Sequence, residues 1–170
     1  AGATAITVEI RDGGISLVRI TDNGSGIPAE QVPLAFLRHA TSKIRKKEDL
    51  ACIGTLGFRG EALAAISSVS KIDLLTRAQG AENGVRLHLE AGQVLSEEPA
   101  GCPCGTTILV RELFYNTPAR MKFMKSDAAE SSAVFSVVQQ QALAHPEISF
   151  RFLKDGQEQL HTDGQGDRMA

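Results

Sequence analysis

The chain has 170 residues, and its 18 Lys and Arg nearly balance its 20 Asp and Glu, which gives a formal charge of -2. This balance excludes a simple polycationic nucleic-acid binder. With 42% hydrophobic and 22% charged residues, the chain is expected to form a globular domain with a core. No apolar run reaches the roughly 20 residues of a membrane helix, and the first residues lack the pattern of a signal peptide. We therefore expect a soluble, unsecreted protein without a membrane partner.

The first elements predicted along the chain are a β-hairpin and a short helix. Apolar and polar residues alternate over residues 6–10 and 16–20, and the Asp-Gly-Gly sequence at 12–14 supplies turn residues between them. A short helix is predicted at residues 34–38, because Pro33 is tolerated in the first turn of a helix.

A long segment without periodicity follows at residues 38–59. It exceeds the usual connection of about 4 to 6 residues, so we expect an ordered or switchable loop with a functional role. Apolar residues then recur at spacings of three and four, which predicts a helix over residues 60–69.

The rest of the chain alternates again, apart from one long helix. Strands are predicted at residues 71–77, 85–90, 107–112 and 148–153, with a short last strand near Gln159, and residues 97–105 are predicted to be a turn-rich connector. Asp127 and Glu130 resemble a capping box that starts a helix over 127–144, before Pro146. These six or seven strands predict a two-layer α+β sandwich, with a mixed, mostly antiparallel sheet and helices on one face.

Cysteine and histidine spacing does not indicate a metal site. Three cysteines are an odd number, and Cys102 and Cys104 are separated by one residue, whereas zinc ligands usually have two to four between them. The four histidines form no H-x-x-x-H pair. We therefore predict no cluster of cysteine or histidine ligands.

The second strand runs directly into the sequence Asp22-Asn23-Gly24-Ser25-Gly26-Ile27-Pro28. One interpretation is an ordinary hairpin turn, because Asp-Asn-Gly is favourable turn chemistry. However, no alternating strand follows. The alternative is a carboxylate at a strand end that accepts a hydrogen bond from an exocyclic amine, beside glycines that let a flat ring approach the backbone.

Three glycines, Gly54, Gly57 and Gly60, follow one another at a spacing of three, and the last of them opens the predicted helix. They are either turn glycines or a loop whose N–H groups bind a phosphate, with Arg59 and Lys43 adding positive charge. The spacing fits neither a P-loop nor a dinucleotide-binding fingerprint. Two loose basic clusters, at residues 45–47 and 111–125, are compatible with weak contacts to nucleic-acid phosphates, but neither is specific for them.

Five motifs occur in one order along nearly the whole chain: D-N-G-S-G-I at 22–27, H-A-T-S-K at 39–43, G-F-R-G-E-A-L at 57–63, G-T-T at 105–107 and F-Y-N-T-P-A-R-M-K-F at 114–123. Together they resemble the N-terminal ATPase domain of MutL-type DNA mismatch repair proteins, within the GHKL superfamily. The third and fifth motifs are typical of the MutL branch, whereas other branches carry different glycine patterns in the lid.

The resemblance implies a site for ATP with Mg²⁺. In the family, the residue corresponding to Asp22 binds the adenine amine, with Gly26 at the wall of the base site, Asn23 nearby and Thr106 assisting through its hydroxyl or an ordered water. The resemblance also implies an ATP lid that wraps the phosphates and includes Thr41, Ser42, Lys43, Gly57, Phe58, Arg59 and Gly60.

The resemblance further implies how such a site is used. In this family, ATP binding orders the lid and drives dimerisation of the N-terminal regions, which couples mismatch recognition by a MutS-type partner to later strand processing. Contacts of this chain with DNA are expected to be weak. The protein is expected in the cytoplasm, associated with the nucleoid, if it is bacterial, and in the nucleus if it is eukaryotic.

The chain departs from the family pattern at both ends. The family carries a general-base Glu and a Mg²⁺-binding Asn on a helix upstream of the sequence that begins here at Ala1, and a second domain follows the region that ends at Ala170. We therefore interpret residues 1–170 as one ATPase domain without these parts, with no catalytic residue or metal ligand of its own and little or no ATP hydrolysis. The alternatives are a nucleotide-binding or dimerisation scaffold without turnover, and another GHKL enzyme such as a gyrase-type topoisomerase.

Overall fold

The computed structural model describes residues 1–37 and 61–166, which form one eight-stranded sheet with helices packed on it. The strands are β1 (Ala5–Arg11), β2 (Leu17–Asp22), β3 (Lys71–Arg77), β4 (Gly84–Glu90), β5 (Gln93–Ala100), β6 (Gly105–Arg111), β7 (Ser149–Lys154) and β8 (Gln157–His161). The helices are α1 (Ala62–Ser67), α2 (Pro118–Met121) and α3 (Asp127–Ala144), and short 3-10 turns span Asp12–Gly14, Ala29–Gln31 and Pro33–Phe36.

The sheet is mixed, with the strand order β5-β4-β3-β6-β2-β1-β7-β8. Every neighbouring pair is antiparallel except β1 and β7, which run parallel. The predicted fold class, a mixed and mostly antiparallel sheet with helices on one face, is therefore confirmed.

One face of the sheet carries the core because alternate residues of each strand point to the same side. Ile10 pairs with Val18, Val18 with Val110, Val110 with Ile72 and Ile72 with Leu89, so a continuous apolar row crosses five strands. All members of this row except Val18 are buried. This row fixes the register of the central strands, since a slip by one residue would expose it.

Helices cover two parts of this face. Val138 and Ala142 of α3 pack against β1 and β7, where Phe152 is 1% exposed. Val32 and Phe36, in the segment of 3-10 turns, pack over β3 and β4 together with Leu63 of α1.

The opposite face is charged. Glu9 is only 4% exposed and forms ion pairs with both Arg11 and Arg19, while Asp73 forms an ion pair with Arg111. These ion pairs lie on the side of the sheet away from the helices, so the two faces differ in chemistry as a half-covered sheet requires.

The structure corrects several predicted boundaries. Residues 97–100, predicted as part of a connector, belong to the edge strand β5, where Pro99 is tolerated because one side of an edge strand has no partner. The predicted helix at 34–38 is a 3-10 turn over Pro33–Phe36, with residue 38 outside the described part. The predicted helix over 60–69 is the shorter α1, and residue 60 is also outside.

The long helix has the predicted bounds but a different cap. Ser126 is the N-cap, and its hydroxyl accepts a hydrogen bond from Ala129 N–H at 3.3 Å. Glu130 reaches back to accept a hydrogen bond from Lys125 N–H at 2.9 Å. The capping pair is therefore Ser126 with Glu130, because the N-cap residue must have the extended backbone that Ser126 adopts. Within the described ranges, none of the helices is both long and apolar enough to cross a membrane.

Candidate functional site

A row of polar side chains interrupts the apolar face at the ends of three neighbouring strands. Asp22 of β2 pairs with Thr106 of β6, and Thr106 pairs with Thr76 of β3. Ile6 and Val85 flank this row on β1 and β4. Directly opposed residues of antiparallel strands have Cβ atoms about 4.5 to 5.5 Å apart, so the three polar side chains are neighbours on the face that carries the helices.

The carboxylate of Asp22 is held by the turn that follows it. Gly24 N–H donates to Asp22 Oδ1 at 2.8 Å, a local side-chain bond typical of Asp in turns. Asp22 itself is half-buried. An ionised carboxylate has two oxygens and several lone pairs, so this arrangement leaves capacity to accept a hydrogen bond from a ligand.

Thr76 connects this row to the loop after Asp22. Its side chain is 1% exposed, and its hydroxyl accepts a hydrogen bond from Ile27 N–H at 3.0 Å and donates to Gly105 O at 2.9 Å. Thr106 Oγ1 lies 3.0 Å from the same oxygen. Sequence reasoning did not select Thr76, although a polar residue in the inward position after Ile72 and Leu74 was a visible signal.

The side chain of Asn23 is occupied by the start of β1. Asn23 Oδ1 accepts from Thr4 N–H at 2.8 Å and from Ala5 N–H at 2.9 Å, and its Nδ2 donates to Thr4 Oγ1 at 2.8 Å. These contacts anchor the N-terminal segment beside Asp22. In this structure Asn23 therefore supports the loop through the protein, rather than presenting its amide to an open site.

Two glycines permit close backbone packing around Asp22. Gly26 has a φ of +67°, and a Cβ there would lie 2.0 Å from Arg77 O. Gly105 has a φ of +119°, and a Cβ there would lie 2.2 Å from Asp22 O. Both positions require glycine for the backbone alone, whether or not a ring approaches Gly26.

A small hollow lies at the same ends of the strands. It has a volume of about 60 Å³, and its lining includes Asp22, Thr106, Cys102 and Cys104. Thr21, Leu75 and Thr107, from the opposite face, complete much of the wall. Ligand pockets usually measure about 300 to 1,000 Å³, so this hollow by itself does not accommodate a nucleotide.

The predicted lid residues lie outside the described part of the chain. These are Thr41, Ser42, Lys43, Gly57, Phe58, Arg59 and Gly60. The helix α1 comes directly after them, and its Leu63 packs on the face that carries Asp22. Of the predicted site residues that lie within the described ranges, Asp22, Asn23, Gly26 and Thr106 come together in the structure.

Two titratable groups outside the polar row have shifted pKa values. A hydrogen bond to Glu112 raises the pKa of Lys71, whose ammonium also lies 5.2 Å from the centre of the Tyr115 ring. A backbone hydrogen bond at Glu147 itself, assisted by His145, lowers the pKa of that carboxyl group. Neither shift bears on the chemistry of Asp22.

Comparison with known proteins decides the family. A model described as histidine kinase-, DNA gyrase B-, and HSP90-like ATPase matches residues 1–100, more than half of the chain. The chain belongs to this GHKL ATPase family. Within the family it falls in the MutL branch, since it is 52% identical over 99% of its length to the DNA mismatch repair protein MutL of Agathobacter rectalis, and 51% identical over 98% to HexB of Streptococcus pneumoniae.

Solved GHKL structures agree with this assignment. The Aquifex aeolicus MutL ATPase domain complexed with ADP has a TM-score of 0.74 and 33% identity, and the match covers 96% of this chain and 57% of that one. The N-terminal domain of a DNA repair protein matches with a TM-score of 0.75 and 31% identity, over 95% and 49% of the two chains. The chain spans about a quarter (26%) of the length of the MutL relatives that it matches.

Proposed function

We propose that this chain is the nucleotide-binding part of a MutL-type mismatch repair ATPase. The observation that carries the proposal is the pairing of Asp22 with Thr106 at the ends of adjacent strands, on the face that also carries α1. The ADP complex of the similar Aquifex aeolicus domain supports a nucleotide as the ligand.

The base is recognised by hydrogen bonds in this proposal. The Asp22 carboxylate accepts a hydrogen bond from the exocyclic amine of adenine, and Thr106 assists it directly or through an ordered water. A hydrogen bond to a charged group contributes about 1.5 to 3 kcal/mol. This is enough to distinguish adenine from a base that lacks the amine.

The proposal also includes an ATP lid and dimerisation of the N-terminal regions. Thr41, Ser42, Lys43 and residues 57–60 wrap the phosphates, and lid ordering promotes dimerisation of two N-terminal regions. The dimer then links a MutS-type mismatch-recognition protein to strand processing on DNA, with only weak DNA contacts from this chain. Because the relatives reported above are bacterial, we propose a cytoplasmic, nucleoid-associated location.

Neither a magnesium ligand nor a general base is assigned to the described residues. Within residues 1–37 and 61–166, no three His, Cys, Asp or Glu side chains come together as metal ligands. The resemblance to MutL-type ATPases implies a general-base Glu and a Mg²⁺-binding Asn on a helix that is not among residues 1–170, and we propose that ion binding and water activation depend on those two residues. General-base catalysis contributes about 10² to 10⁴-fold to rate, so residues 1–170 alone are expected to hydrolyse ATP poorly or not at all.

Calorimetric titration of the full-length protein with a non-hydrolysable ATP analogue tests the binding role. The Asp22→Ala variant is expected to bind about 10- to 100-fold more weakly, which corresponds to the loss of one charged hydrogen bond. Glu98→Ala, which removes an exposed carboxylate from the edge strand β5, is the matched control and should bind normally. Equal affinity of the Asp22→Ala variant and the unmodified protein would refute the adenine role.

Turnover is tested separately by measuring phosphate release from residues 1–170 and from the full-length protein. Release by the full-length protein alone would support an ATPase whose water-activating group lies outside this chain. Equal release by both would show that the assignment of the general base is wrong.

A further inference from the structure

We propose that Thr76 sets the hydrogen-bond polarity of the base site, so that the site selects a 6-aminopurine over a 6-oxopurine nucleotide; this inference rests on the nucleotide-binding function proposed above. Thr76 is a positioning residue, because it is 1% exposed and lies beside Thr106, on the side away from Asp22. Its effect is transmitted through its hydroxyl contacts.

The contacts of Thr76 Oγ1 leave one consistent arrangement of hydrogens. A hydroxyl has one hydrogen to donate and two lone pairs that accept. Ile27 N–H is a donor, so Thr76 Oγ1 accepts a hydrogen bond from Ile27. Gly105 O is an acceptor, so the Thr76 hydroxyl donates its only hydrogen to Gly105 O. The remaining contact, with Thr106 Oγ1 at 3.0 Å, is then a hydrogen bond that Thr106 donates and Thr76 accepts.

This arrangement determines what Thr106 offers to a ligand. The hydroxyl hydrogen of Thr106 is committed to Thr76, so only its lone pairs remain for other partners. Asp22, its neighbour across β2 and β6, also offers only lone pairs when ionised. Two adjacent side chains of the base site are therefore hydrogen-bond acceptors.

An acceptor pair discriminates between purines at their C6 position. The amine of adenine carries two hydrogens, which two acceptors satisfy directly or through an ordered water. The oxygen at C6 of hypoxanthine or guanine carries none and faces the lone pairs of Asp22 and Thr106. An unmatched polar group in a site costs more than a missing contact, so a 6-oxo base is rejected.

Thr76 also joins the two walls of the proposed site. Ile27 belongs to the loop that begins at Asp22, and Gly105 begins the strand that carries Thr106. The same buried hydroxyl therefore fixes the spacing of both walls and the direction of the Thr106 hydroxyl. Valine, which has nearly the same shape as threonine, removes this hydroxyl and frees the hydrogen of Thr106 to turn toward a ligand.

The test compares the affinities of the full-length protein for ADP and IDP, which differ only at the 6 position of the base and the adjoining N1. The measured quantity is the ratio of the two affinities, because a general loss of structure lowers the affinities for both ligands together. The unmodified protein should prefer ADP. Thr76→Val should reduce that preference by roughly three- to tenfold, the size of one neutral hydrogen bond, whereas Thr76→Ser, which keeps the hydroxyl, should preserve it.

A second variant keeps the inference falsifiable if Thr76→Val does not fold. Thr106→Val changes a half-buried side chain. It should lower the affinity for ADP and leave the affinity for IDP unchanged or higher. Weaker IDP binding by Thr106→Val would show that Thr106 donates to the ligand and would overturn the inference. An unchanged ratio in folded Thr76→Val would overturn it too.

Failure of the proposed nucleotide-binding function would give different results from failure of the inference about Thr76. If Asp22→Ala left the affinity for ADP unchanged, the proposed base site itself would be wrong. If Asp22→Ala weakened ADP binding while Thr76→Val kept the original ADP-to-IDP ratio, the site would stand and only the role of Thr76 would be lost.

Discussion

Asp22 and Thr106 are directly opposed on two central strands, and the backbone of Gly105 packs against the carbonyl of Asp22. The position of the carboxylate is thus set by the pairing of β2 with β6. The loop that follows Asp22 begins where the paired residues of β2 end.

Gly105→Ala is expected to destabilise the protein strongly. The new Cβ would lie 2.2 Å from Asp22 O, and the φ of +119° is unfavourable for any residue with a side chain. We expect a loss of more than about 2 kcal/mol in the free energy of unfolding, measured by urea denaturation. Gly80→Ala is the control, because Gly80 also has a positive φ of +83° but no atom within 4 Å of the new Cβ. A similar loss in both variants would mean that backbone strain, and not the contact with Asp22, is responsible.

Asn23→Ala is expected to loosen the start of β1. The change removes three hydrogen bonds to Thr4 and Ala5, and two of them satisfy backbone N–H groups. Because these groups are near solvent, we expect a modest loss of about 1 to 2 kcal/mol on denaturant unfolding. Hydrogen exchange at Thr4 and Ala5 should become faster. Asn83→Ala, in the exposed turn before β4, should change neither measurement. Unchanged exchange in Asn23→Ala would contradict the anchoring role.

Ser126→Ala tests the corrected start of α3. Loss of the N-cap bond to Ala129 N–H is expected to cost about 1 kcal/mol and to lower the thermal unfolding midpoint by a few degrees. Ser132→Ala lies within the same helix, where alanine has the higher helix propensity, so it should be neutral or slightly stabilising. If both substitutions had the same effect, Ser126 would not be the cap.

Chemical modification of Cys104 is expected to impair nucleotide binding. Cys104 Sγ donates to Gly24 O at 3.4 Å, so an added carbamidomethyl group would push on the loop that follows Asp22. In a variant whose only cysteine is Cys104, iodoacetamide treatment should weaken the binding of the ATP analogue, and bound nucleotide should slow the alkylation. The same treatment of a variant without cysteines is the control. Full affinity after complete alkylation would show that this contact does not matter for the site.

Alternation of apolar and polar residues predicted most of the strands. In β4, Val85, Leu87 and Leu89 alternate with more exposed residues and all three are buried, so the pattern was visible. In contrast, β5 is exposed at nearly every position, and its Val94 and Leu95 are adjacent and both exposed. An edge strand held mainly by backbone hydrogen bonds to one neighbour produces no alternation, which is why it was missed.

The site was predictable to a similar, partial extent. Asp22 and Thr106 lie in short motifs, and the resemblance to a known family assigned them a role. Thr76 lies in a strand with no such motif, 54 positions after Asp22 in the chain. Its importance arises from the pairing of β3 with β6. The alternation of β3 indicated that Thr76 is a polar residue at an inward position, but local sequence does not show which hydrogen-bond partners the strand register brings to it.

The parallel pairing of β1 with β7 brings residue 5 beside residue 149. During synthesis, β1 therefore lacks its neighbour on one side until the residues of β7 have also left the ribosome. Contacts this distant in sequence form slowly because a large loop must close first. Until then the free edge of β1 can pair with another nascent chain, so we expect premature termination before residue 149 to yield aggregates rather than a smaller folded protein.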